Sequence, residues 1–109
     1  MSWFQSIGQP VRELIQRIEA GPVKVCRMGW GRLGVTIGAV EVSATRYQTL
    51  YKTSYEARMV FEGSQVTCNA KEALALWQVL SRLWNAEIDA RENATRAAIC
   101  THLGVPTTP

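Results

Sequence analysis

The chain has 109 residues, of which 47% are hydrophobic, 8% aromatic and 19% charged, with a formal net charge of +3. That size and mixture predict one soluble domain with a single modest core, and they exclude the disordered class, which pairs low hydrophobicity with high net charge. No run reaches the roughly 18 apolar residues of a membrane span, and the first ten residues lack the basic opening and apolar block of a secretory signal.

In chain order, the first element is an amphipathic helix over about 10–20. Val11, Leu14, Ile15 and Ile18 recur at three- and four-residue spacing, with Arg12, Glu13, Gln16 and Arg17 turned outward. Pro10 suits a first helical turn and Gly21-Pro22 a stop. Trp3, Phe4 and Ile7 ahead of the proline are expected to form an earlier turn that folds back on the body.

Residues 22–68 carry the strand signal. Val23 and Val25, Val35 and Ile37, and Val40 and Val42 alternate with β-branched enrichment, punctuated by glycines at 29, 31, 34 and 38. Turns are expected near 28–32 and a bulge or bend near Gly38. Residues 46–52 alternate as a strand with one wet face. Residues 55–62 form a further strand, and 66–68 a short return after Gly63-Ser64. Three to five antiparallel strands follow.

From Asn69 the pattern turns helical through about 70–102, with Asn69 as N-cap and Glu72 placed to complete a capping box. Leu74, Leu76, Trp77, Val79, Leu80, Leu83 and Trp84 make the first turns apolar nearly all round. Farther on, Ala86, Ala90, Ala94, Ala97 and Ala98 form a small-residue stripe that permits close helix approach. One long helix, or two joined near Asn85 or Asn93, fits the pattern; Gly104 and Pro106 end it, and the last three residues read as a tail. The fold class is therefore α+β: an N-terminal helix, an antiparallel sheet, and a C-terminal long helix or helical pair packed on one sheet face.

Catalytic patterns are missing. Gly29, Gly31 and Gly34 spell G-x-G-x-x-G, but they lead into the strand-like Val35-Thr36-Ile37 rather than into the helix that a dinucleotide fingerprint requires. Cys26, Cys68 and Cys100 include no C-x-x-C, and His102 is the lone histidine, so no metal, cofactor or catalytic residue is assigned. Cys100 and His102 lie two apart on a helix and diverge by about 200°. Unpaired, widely spaced thiols point to a cytoplasmic setting.

Two features suggest function. The apolar helix surface of Leu76, Trp77, Leu80, Leu83 and Trp84 is the expected protein interface, for self-association as a homo-oligomer or for docking on a larger partner. Tryptophans seven apart share a helix face and are enriched at interface hot spots. The alternative is nucleic-acid binding. All of the excess positive charge falls between 21 and 68, on Lys24, Arg27, Arg32, Arg46, Lys52 and Arg58, with Trp30 and tyrosines interleaved. At the level of class alone, the small size, α-β-α layout and missing catalytic signatures are similar to those of phage- and plasmid-borne accessory proteins, including inhibitors of host defence. No residue role carries over from that likeness. The reading is a non-enzymatic interaction protein with no membrane partner.

Overall fold

The computed structural model describes residues 6–106. Helix α1 (Gln9–Ala20) is followed by β1 (Cys26–Gly29), β2 (Arg32–Ile37), β3 (Val40–Gln48), β4 (Thr53–Phe61) and β5 (Ser64–Thr67), then by helix α2 (Ala70–Leu103). The strands form an antiparallel meander in sequence order. The architecture is α+β, as the sequence predicts, with the upper limit of five strands realised.

Strand register sorts the side chains onto two faces. Leu33, Ala44 and Ala57 stand in one cross-strand row, and Val35, Val42, Met59 and Val66 in the next. These rows face the helices, where Val11, Leu14 and Ile18 of α1 and Ala73, Leu76, Val79 and Leu80 of α2 complete the buried core. Ala44 and Ala57 are fully buried at the sheet centre, and such short side chains allow a helix to lie close over the strands. The opposite face carries Arg32, Thr45 and Glu56 in one row and Gly34, Ser43, Arg58 and Thr67 in the next. No helix covers it.

The two helix N-termini are tied together through one carboxylate. The predicted capping box is present: Glu72 N–H donates to Asn69 Oδ1 and Asn69 N–H to Glu72 Oε1, both at 2.9 Å. The other Glu72 oxygen accepts from Gly8 N–H at 2.9 Å, and Asn69 Nδ2 donates to the Ser6 carbonyl at 2.9 Å. Gly8 has no side chain to cap α1, so Glu72 supplies an acceptor there as well. Glu72→Ala is expected to cost about 1–2 kcal/mol, the loss of a cap plus a long-range hydrogen bond. Urea melts check this, with the exposed Gln78→Ala as a silent control.

Two expectations are corrected. Residues 46–52 do not form one strand: β3 ends at Gln48, and Thr49 closes a turn in which its hydroxyl accepts from Lys52 N–H at 3.1 Å and its backbone N–H donates to the Lys52 carbonyl at 2.9 Å. A threonine that bonds its own following backbone competes with strand pairing. Of the bulge or bend expected near Gly38, the bend is what forms: Gly38 sits at φ +60° in the β2–β3 turn. The first strand starts at Cys26, beyond Val23 and Val25, although Val25 is buried. Neither Asn85 nor Asn93 interrupts α2, a single helix closed by Gly104 in the left-handed conformation. Ile7 packs against the core; Trp3, Phe4 and the expected tail at 107–109 lie outside the described residues.

The glycine-rich run is a β1–β2 hairpin. Gly31 has φ +62°, and a Cβ there would meet the Arg46 carbonyl oxygen at 2.8 Å. The same close approach lets Arg46 N–H donate to the Gly31 carbonyl at 2.8 Å. A Cβ on Gly34 would run into the Met28 sulfur. Gly31 thus serves hairpin geometry, and the run leads into a strand with no helix to receive a pyrophosphate.

Candidate functional site

The cations expected to bind nucleic acid are dispersed. Arg32 and Arg58 stand on the open sheet face, where Arg32, Met28, Trp30, Thr45 and Tyr47 line a hollow of about 290 Å³. Lys24 borders a neighbouring hollow of about 410 Å³ that also includes Arg32. Arg27 lies instead over the Trp30 ring, 5.5 Å from its centre. Arg46 donates to Gln48 Oε1 at 3.0 Å, and Lys52 belongs to the β3–β4 turn. Arg58 is paired with Glu56 at 3.0 Å, and Glu41 borders the second hollow. Acidic groups therefore interrupt this face. One donor stands out: Arg32 Nε is buried without a hydrogen-bond partner.

No group of three or more His, Cys, Asp and Glu side chains among the described residues is placed to hold a metal ion. Cys26, Cys68 and Cys100 are all free thiols. Burial, with the nearby Glu72 charge adding to it, pushes the Cys68 thiol from 9.0 up to about 11. The folded state thus favours the neutral thiol, and the stability this contributes is complete below pH 9 and lost as the pH rises toward 11. In melts between those limits a Cys68→Ala variant is expected to lose part of the decline seen in the parent. At pH 8 a thiol reagent should modify exposed Cys26 well before Cys68.

The apolar residues expected at an interface divide. Leu76 and Leu80 are 0% exposed within the chain and present no surface. Trp77, Leu83 and Trp84 are partly buried against the core, and the Trp77 ring meets Tyr55 with centres 6.4 Å apart. These side chains hold α2 to the sheet.

Among the described residues, the other half of the helix stands free of the core. α2 has 34 residues, about 51 Å at 1.5 Å per residue. Its core-packing residues end at Trp84, so residues 85–103, about 28 Å of helix, run past the body of the domain. The molecule accordingly measures 64 × 37 × 25 Å. Along this projection Ile88 is half-buried, Ile99 is 51% exposed and Leu103 is 65% exposed. Ala94, Thr95, Ala98, Ile99, His102 and Leu103 line a shallow apolar depression. A 3.6-residue repeat carries Trp84 through Ile88, Arg91, Thr95 and Ala98 to His102 on one stripe, continuous with the edge of the core and interrupted by the Arg91 charge. Of the small-residue stripe, Ala94 and Ala98 border this surface; Ile88, Ile99 and Leu103 were missed among the flanking charges.

A second apolar feature is a groove between α1 and the β5 side of the sheet, lined by Pro10, Leu14, Ile37, Met59, Phe61 and Val66. No helix of the described residues is long and apolar enough to cross a membrane. Comparison with known proteins finds no matching family model, curated protein or solved structure.

Proposed function

We propose that this protein works by protein–protein contact through residues 85–103 of α2 and performs no chemistry of its own. The observation that carries the reading is a helix that outruns its own core by about five turns while bearing Ile88, Ile99 and Leu103. A helix of that length is marginal in water without packing, and its isoleucines and leucine gain from being covered. Free thiols at all three cysteines agree with a reducing, cytoplasmic setting. An accessory or inhibitory protein of a phage or plasmid is one context in which such a contact module would serve.

The test is a photo-reactive amino acid placed in the cell at Thr95 or Ile99, with Thr36 on the open sheet face as control. Adducts of protein mass at 95 and 99, and none at 36, are the expected result. No adduct at either helix position overturns the reading.

The unpartnered Nε of Arg32, beside Trp30 and Tyr47, favours one second reading: single-stranded nucleic acid on the open sheet face, with rings stacking on bases and Arg32 meeting phosphate. It predicts salt-sensitive binding of an oligothymidine that Arg32→Ala abolishes. No binding at low salt removes it.

A further inference from the structure

We infer that the partner of the projecting helix is a second copy of this chain, docked antiparallel along residues 85–103. The inference rests on the reading of that segment as a contact surface and adds the identity and direction of what covers it. The charge pattern carries it. The first part of the projection holds Glu87, Asp89 and Glu92 against Arg91 alone, whereas the second holds Arg96 and no acid, with His102 beyond it. Only Glu87 and Arg91 are paired within the chain, at 2.6 Å; Asp89, Glu92 and Arg96 make no ion pair among the described residues. All three are exposed.

An antiparallel second copy sets the acidic part of each helix against the basic part of the other, twice over, and opposes the two helix dipoles favourably. A parallel copy sets acid against acid. With the two-fold axis near residue 93, Ile88 of each chain meets the Ala98–Ile99 region of the second copy, and Trp84 meets its His102. Thr95 and Ala98, both short and both on that stripe, let the axes approach closely there. Such a contact uses the same patch on both chains and closes on itself, giving a dimer rather than a filament.

The experiment measures native mass by sedimentation across a concentration series at low salt. The parent chain is expected to reach twice the monomer mass. Arg96→Glu, which leaves both parts acidic, and Asp89→Lys with Glu92→Lys, which leaves both basic, should each weaken the dimer by at least about tenfold. Combining all three substitutions reverses both signs and restores complementarity, so the dimer should return. Circular dichroism confirms that each variant keeps its helix. A monomer at every concentration overturns the inference, as does a triple variant no tighter than the partial ones. The photo-adduct at Ile99 separates the two levels. An adduct of twice the chain mass supports the second copy. An adduct of another mass overturns the second copy while the contact surface stands, and no adduct removes both.

Discussion

Leu80→Ala is expected to lower the unfolding free energy by about 3–5 kcal/mol, because the side chain lies at the junction of the long helix and the sheet and the lost methyl groups leave a cavity behind. Leu80 is 0% exposed and belongs to the same cluster as Leu76, Val42, Ala44 and Ala57. Ala44 and Ala57 are already minimal, so they cannot move inward to fill the void. A chain of this size has about 5–15 kcal/mol in total, and the variant should therefore melt far earlier in urea with an unchanged slope. The contrast is internal to the helix. Ile99→Ala, on the same α2 but beyond the core, should leave the urea midpoint within about 0.5 kcal/mol of the parent at concentrations too low for association. Equal losses at the two positions would mean that the helix is held along its whole length.

Ile99→Asp carries the second large effect, on association rather than on folding. Ile99 is 51% exposed at the rim of the depression formed with Thr95, Ala98 and His102. A carboxylate there costs the isolated monomer little, since it stays in water. Covered by a partner it must be desolvated without a matching charge, which is expensive. The expected loss is at least about 2 kcal/mol of contact energy, the size found for central interface residues. Sedimentation and the photo-adduct at Thr95 both read it. An unchanged native mass together with an unchanged adduct would place the contact elsewhere on the molecule.

Much of the fold was readable from local chemistry. The 3.6-residue repeat marks α1, and Asn69 with Glu72 marks the start of α2, because capping and periodicity act over a few residues. The β3–β4 turn was not readable. Tyr47, Thr49 and Tyr51 alternate as a strand would, and the decision to turn rests on the Thr49 hydroxyl bonding to backbone two and three residues ahead. The tryptophans show the same limit at the site. Trp77 and Trp84 fit a core and an interface equally well on a helical wheel, and only the placement of Tyr55 opposite Trp77 and the end of the sheet near Trp84 separate the two. That end depends on strand length and register, which are long-range properties. The projecting half depends in the same way on where the core stops, which no local pattern in α2 marks.

The most direct test of the central claim is amide hydrogen exchange across α2 in the purified protein, at low and at high concentration. Amides before Trp84 should be protected at both, because they lie over the core, while amides from 88 to 101 should exchange fast when dilute and become protected as the chain associates. Fast exchange of 88–101 at both concentrations, with no change along the series, would contradict it.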